Sequence, residues 1–309
     1  DSVASRGLGD VYKRQGNMYL RYRGLTFGGN SGALIITDFK APTLEIQNDY
    51  SNKTSLDGVM VTQDALTKAS WQFSLATNGD NLDDALSVAS DLQGRWQDKV
   101  IRSSAFPTIL QYSHDNVRWY RIYGRPGRFT SIEPNVYAKL GVGRIEMEFI
   151  QTNPYTYSSE DRSITINAVP AIQGGITAPI VTPITTSGSG GERAGRVINN
   201  GNVNAPMILK FYGPSTNPTI RGDNGFVLTY KGTLAYDQTV TIDPVQHEVR
   251  LNTGNNYPGV QVPGRLSRRT RLAGLTTPPG TSEWFYTALD DTGTSRAELI
   301  TRDAYNSFK

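Results

Sequence analysis

Two carboxylates spaced two residues apart on a strand point to the same face, and Glu146 and Glu148 in the run Arg144–Ile150 meet that condition. A paired acid and base of this kind is the equipment of glycoside hydrolysis. The same alternation is what any half-buried strand shows, so the pair reads as a solvated or salt-bridged sheet face. The two histidines, His114 in Ser113-His114-Asp115-Asn116 and His247, are too few for a His-rich metal centre or a relay. They read as a turn residue and a strand-edge residue. The absence of cysteine excludes disulfide frameworks, thiolate catalysis and cysteine-bound zinc. There is no phosphate-cradling G-x-x-x-x-G-K-[ST] loop and no G-x-S-x-G elbow. Gly141-Val142-Gly143 lacks the third glycine of a dinucleotide fingerprint, is followed by a strand and reads as a hairpin turn. No catalytic residue, cofactor site or metal site is expected.

What remains are residues suited to contact. Arg265, Arg268, Arg269 and Arg271 form the strongest local charge cluster. They lack interleaved aromatics, and the whole chain carries only +3 (31 Lys+Arg against 28 Asp+Glu), so a solvated loop or an inter-subunit contact is expected over nucleic-acid binding. The run Trp119-Tyr120-Arg121-Ile122-Tyr123 has the aromatics of a sugar-stacking face, but core and interface packing is the plainer reading. The candidate interface residues are therefore Arg265, Arg268, Arg269, Arg271, Trp119 and Tyr120.

The elements that must carry these residues are mostly strands. With 309 residues the chain exceeds the roughly 250–300 at which a single core stops growing, so two domains are expected. A hydrophobic share of 37%, with 16 Tyr, 10 Phe and 4 Trp, is enough to build two cores. No segment approaches the roughly 18 consecutive apolar residues of a membrane-spanning helix, no signal-peptide pattern leads the chain, and no membrane partner is expected. Residues 1–15 differ from the rest, and Asp10-Val11-Tyr12-Lys13-Arg14-Gln15 resembles translated adapter sequence; they are expected to be a non-native leader, with the native start at or near Met18. Short β-type runs follow at Met18–Tyr22, Ala33–Phe39, Trp71–Leu75, Thr108–Tyr112, Arg118–Tyr123 and Arg144–Ile150. Leu82, Ala85, Leu86, Ala89, Leu92 and Trp96 recur at helical spacing, which predicts one helix over 81–98 capped by Asp80 or Asn81. The first domain is thus a β-barrel or sandwich with one flanking helix over 16–165. A Gly/Ser/Thr-rich segment at 172–191 follows the boundary, and 166–309 reads as an antiparallel β-sandwich with strands near Met207–Tyr212, Phe226–Lys231, Thr239–Ile242, Glu248–Leu251 and Arg296–Thr301.

Several stretches resemble a known family. Met18-Tyr19-Leu20-Arg21-Tyr22-Arg23-Gly24-Leu25, the extended segment to Leu56-Asp57-Gly58 and Asn153-Pro154-Tyr155-Thr156-Tyr157 are similar to the first domain of distal tail (Dit-like) proteins of long-tailed bacteriophages. Asn200-Gly201-Asn202-Val203-Asn204-Ala205-Pro206 leading into Met207–Gly213, then Asn217-Pro218-Thr219-Ile220, Val240–Asp243, Trp284 and Ala297–Tyr305, resemble the second. The resemblance implies a tail-tube-like β-barrel followed by a galectin-like β-sandwich. It implies a structural hub of the virion, located at the distal end of the tail and assembled in the host cytoplasm. Six copies would form a ring that joins the tail tube protein to a tail-tip protein, anchors a receptor-binding protein and lets DNA pass through its lumen without reading its sequence. It departs where 172–191 is long and where the arginine cluster falls. From the residues alone, the alternative is a carbohydrate-binding module for a host-surface glycan.

Overall fold

A computed structural model of the chain describes residues 18–29, 32–40, 42, 46–47, 50–52, 59–61, 65–66, 69–133, 136–168, 193–256, 259–267, 271–290, 292–306 and 308–309. The expected leader, the segment 172–191, and Arg268 and Arg269 lie outside them. The chain divides into two compact units, one running to Ser159 and taking back Tyr305–Lys309, the other spanning Glu160–Ala304. The sequence had suggested a second domain running from 166 to the last residue; the final five residues instead pack with the first.

The first unit is a mostly antiparallel sheet with a helix on it. Its strands are β1 (Tyr19–Tyr22), β2 (Leu25–Gly28), β3 (Leu34–Lys40), β4 (Ile46–Gln47), β5 (Tyr50–Asn52), β6 (Val59–Val61), β7 (Ala65–Leu66), β8 (Ala69–Thr77), β9 (Thr108–Ser113), β10 (Tyr120–Thr130), β11 (Arg144–Gln151) and β12 (Thr156–Ser158). The main sheet runs β2-β1-β9-β10-β11-β8-β3, with β12 on β10. Arg23 and Gly24 both adopt positive φ, 47° and 81°, giving the two-residue turn whose twist suits the β1–β2 hairpin. The separate two-stranded pairs β4–β7 and β5–β6, with Ile46↔Leu66 and Tyr50↔Val61, keep close to the register of the β3–β8 ladder.

Helix α1 (Leu82–Trp96) starts where Asn81 Oδ1 accepts from Asp84 N–H at 3.0 Å, and Asp83 and Asp84 sit where the helix dipole favours negative charge. It buries Ala85, Ala89, Leu92 and Trp96. Trp96 meets Tyr22 (centroids 4.9 Å apart) and Phe149 (6.0 Å), welding helix to sheet. Burying side chains of this size stabilises by about 1.5–3 kcal/mol each. Asp98, expected inside this helix, instead caps the short α2 (Lys99–Ser103) by accepting from Val100 N–H at 2.8 Å. Gly141, expected in a hairpin turn, follows α3 (Val136–Lys139): its N–H reaches Ala138 O at 3.0 Å and its φ is +82°. This is a helix exit of the left-handed kind.

The second unit is an antiparallel β-sandwich. Its strands are β13 (Arg162–Asn167), β14 (Arg193–Asn199), β15 (Ala205–Pro206), β16 (Ile208–Tyr212), β17 (Ser215–Gly222), β18 (Val227–Thr229), β19 (Thr233–Leu234), β20 (Gln238–Asp243), β21 (Glu248–Thr253), β22 (Val260–Gln261), β23 (Thr276–Thr277), β24 (Gly280–Leu289) and β25 (Arg296–Thr301). One sheet runs β13-β25-β16-β20-β21-β22, the other β14-β24-β17-β18 with β19 on β17. Alternation sends Leu209, Phe211, Val240, Ile242, Ala297 and Leu299 from the first sheet, and Ile220, Leu228, Trp284 and Tyr286 from the second, into one core.

Candidate functional site

The expected aromatic site divides into packing and contact roles within the first unit. Trp119, half-buried, lies under the Arg21 guanidinium at 4.2 Å, so one face of its ring is already covered. Tyr120 stacks on Tyr112 (5.6 Å, 29°) and meets Tyr305 edge-on (6.1 Å, 77°). Tyr112 belongs to an aromatic slot walled by Phe39, Trp71 and His114 that receives Phe308. Trp71 is held in place by its Nε1–H, which donates to the buried Gln151 Oε1 at 2.7 Å. Phe39 and Phe308 were not singled out in the sequence, because no periodicity links residues so far apart.

Among the described residues, the hydrogen-bonded order of the first unit's sheet ends on β2 and β3, which lie beside one another and line the same groove. In a two-residue hairpin the closing pair, Tyr22 and Leu25, is hydrogen bonded, and bonded pairs recur at every second residue. Gly29 N–H on Met18 O at 2.9 Å continues that series. Thr26 and Gly28 therefore aim their backbone groups away from β1. On β3, the bond from Asn78 N–H to Ala33 O at 2.9 Å sets the same alternation and turns Leu34 and Ile36 away from β8. A groove of about 530 Å³ runs beside these edges, with Leu25, Phe27, Leu34 and Val88 among its lining and Asp91 at its rim. Open strand edges beside an apolar groove are suited to adding a strand. The signal for β2 was present in the sequence as Arg23-Gly24; the edge itself follows only from strand order.

The remaining candidates are scattered. Arg265 ends a 3₁₀ turn (Pro263–Arg265) and Arg271 precedes another (Leu272–Gly274), both exposed in the second unit. Tyr230 bridges Leu266 beside Arg265, so this loop is pinned while its guanidinium faces solvent. Of the four candidates among the described residues, Trp119 and Tyr120 lie in one unit and Arg265 and Arg271 in the other. Glu146 and Glu148 do share a face, lining a shallow depression of about 380 Å³ with Arg128, Arg144, Gln72 and Ser74. Glu146 pairs with Arg144 at 3.0 Å and Glu148 accepts from the Ser70 hydroxyl. His247, with φ 53°, sits in the turn between β20 and β21. His114 hydrogen bonds Lys309 O at 2.9 Å. No group of three or more His, Cys, Asp and Glu able to hold a metal ion occurs among the described residues.

Comparison with protein-family models and with curated proteins returns no match. Among solved structures, the chain is similar to the SPP1 Dit (gp 19.1) protein, described as a paradigm of the hub adsorption apparatus in phages infecting Gram-positive hosts. The TM-score is 0.57 at 11% identity, covering 93% of this chain and 98% of that one. It has a Dit-like fold. Chains of the phage P2 baseplate in its activated conformation repeat the likeness: with Ca, TM-score 0.53, 11% identity and 93% and 98% coverage; with Sr, 0.55, 14%, 92% and 97%. The Dit-like likeness therefore extends through both units and is not confined to a generic sandwich. It agrees with the mainly β architecture expected from the sequence, with 53% of the described residues in strands and 13% helical.

Proposed function

We propose that the chain is a structural subunit of a bacteriophage tail, a distal hub whose six copies close into a ring between tail tube and tail tip. The observation that carries this reading is a Dit-like fold over 93% of the chain whose main sheet, among the described residues, ends on β2 and β3. A closed ring needs a heterologous contact, with two different complementary patches on each subunit. The groove between the β2 and β3 edges and the short pairs β4–β7 and β5–β6 are candidates for such patches on one unit, and a permanent contact of this kind buries more than about 1,000 Å². In this reading the subunit works without catalysis. The tail tube protein and a tail-tip protein are its axial partners, the second unit anchors a receptor-binding protein, and DNA passes through the lumen at the distal end of the virion tail.

The test uses Thr26→Pro. Thr26 N–H points away from β1, so proline removes an edge donor while the hairpin bonds stay intact. The native chain is expected to give six-fold rings by electron microscopy and a mass six times that of one chain by native mass spectrometry. The variant should keep its circular dichroism spectrum and fail to close. A native chain that stays monomeric at high concentration, with or without tail-tube subunits, overturns the proposal.

A further inference from the structure

Three large apolar side chains stand out into solvent from one turn of the first unit. Tyr137 on α3, and Leu140 and Val142 just beyond it, are 70%, 67% and 47% exposed. A lone exposed apolar residue is ordinary; several gathered on one turn mark a contact surface. The turn that carries them is tightly built. Tyr137 O accepts from Leu140 N–H and from Val142 N–H, each at 3.0 Å, which fixes the spacing of the three side chains. Beneath them the buried Thr77 holds the two glycines that flank Val142. Its Oγ1–H donates to Gly141 O at 2.9 Å, its Oγ1 accepts from Gly143 N–H at 2.7 Å, and its own N–H donates to Gly143 O at 2.8 Å. Gly79 N–H adds a bond to Gly141 O at 3.1 Å. A turn held in this way loses little conformational freedom when a partner covers it.

The same packing sets acid beside the apolar side chains. Gly141 lies against Gly79 and Asn81, and Gly79 in turn lies against the Cβ of Asp84. Asp80, Asp83 and Asp84 are exposed at this start of α1, and none of them has an ion pair among the described residues. Lys139 is the one cation in 136–143. The result is an apolar knob with a net negative border.

We propose that this turn docks into a different protein of the assembly, one whose surface offers an apolar centre bordered by lysine and arginine. Charge decides between the occupants. Three unpaired carboxylates repel nucleic acid and anionic lipid alike. Another copy of the chain would have to offer an apolar recess with a basic border, and the apolar groove beside β2 and β3 is lined by Asp91 and by no lysine or arginine. A separate protein with a basic border meets both halves of the surface: its apolar centre covers Tyr137, Leu140 and Val142, and its cations face Asp80, Asp83 and Asp84. An exposed tyrosine flanked by aliphatic side chains is also the composition of an interface anchor. The inference rests on the hub reading only for the presence of other tail proteins.

The experiment replaces Leu140 of the full chain by the photo-reactive residue p-benzoylphenylalanine and irradiates it together with tail-tube and tail-tip subunits. Mass spectrometry then identifies the linked peptide. Docking predicts a link to one of those proteins, in a peptide that carries apolar residues and Lys or Arg. Links confined to copies of this chain, or no link, overturn it. As a second measurement, Tyr137→Ala should lower the yield of that link more than about tenfold, the loss expected of an interface anchor. The double variant Asp80→Lys, Asp83→Lys, which leaves the Asn81 cap in place, should lower it severalfold. Both variants change exposed side chains and should keep their circular dichroism spectra. A yield that neither variant alters overturns the proposal, and a yield lowered by Tyr137→Ala alone overturns the basic border. Closed rings without the link would refute the docking and leave the hub reading standing. The link formed by a chain that never closes into rings would do the reverse.

Discussion

Asp290 organises the turn after β24 through three hydrogen bonds. Its carboxylate accepts from Thr292 N–H at 2.9 Å, Thr292 Oγ1–H at 2.6 Å and Ser295 N–H at 2.7 Å. Burial raises the carboxyl pKa, but these bonds outweigh it and hold the group below its ordinary 3.8. A group depressed in the folded state stabilises the protein above its unfolded pKa, and that contribution is lost as pH falls through the folded value. Asp290→Ala also strands the N–H of the buried Ser295, so urea unfolding at neutral pH should show a loss of about 1–3 kcal/mol. The deficit should shrink as pH falls below 3.8. A deficit that is constant across that range contradicts the assignment. Gly141 shows the other way one residue constrains the fold: besides its positive φ, an added Cβ would stand 1.8 Å from Gly79 O.

At the scale of elements, α1 was legible in the sequence except for its C-terminal end, which falls at Trp96 and not at Asp98. Its apolar spacing, cap and acidic first turn are all local signals, and they fall at the places the structure uses. Asn81→Ala is expected to cost about 0.5–2 kcal/mol and Leu92→Ala about 2–5 kcal/mol, as measured by chemical denaturation. A Leu92→Ala cost at the cap-like level would show that the helix is only loosely seated. The strands Thr108–Ser113, Arg144–Gln151 and Arg296–Thr301 were equally plain, because each alternates between turn residues. Others were not. β17 and β24 carry the Trp284 layer of the second core, yet Thr, Asn, Pro and Gly break their pattern. The pairs β4–β7 and β5–β6, two and three residues a strand, are too short for a period to show in the sequence, and they are recognised by a register close to that of β3 and β8. Among the expected contact residues, Trp119 and Tyr120 turned out to brace Arg21 and the aromatic slot, roles that depend on partners up to 185 positions away in sequence.

At the scale of the whole molecule, two separate cores have a measurable consequence. Leu92 lies in the first cluster and Leu209 in the second, with no shared packing partner. The stability losses of Leu92→Ala and Leu209→Ala should therefore add to within about 0.5 kcal/mol in the double variant. A larger coupling would mean that the cores unfold as one. By itself, the sequence determined that the chain is mainly β with one long helix, that its size calls for two cores, and that it lacks cysteine and has too few histidines for a His-rich metal centre. These properties follow from composition and short-range periodicity. Strand order, the placing of β2 and β3 at its two ends, and the return of Tyr305–Lys309 to the first unit were decided only in the tertiary structure. Each depends on which segments pair across long loops, and no local pattern encodes that choice.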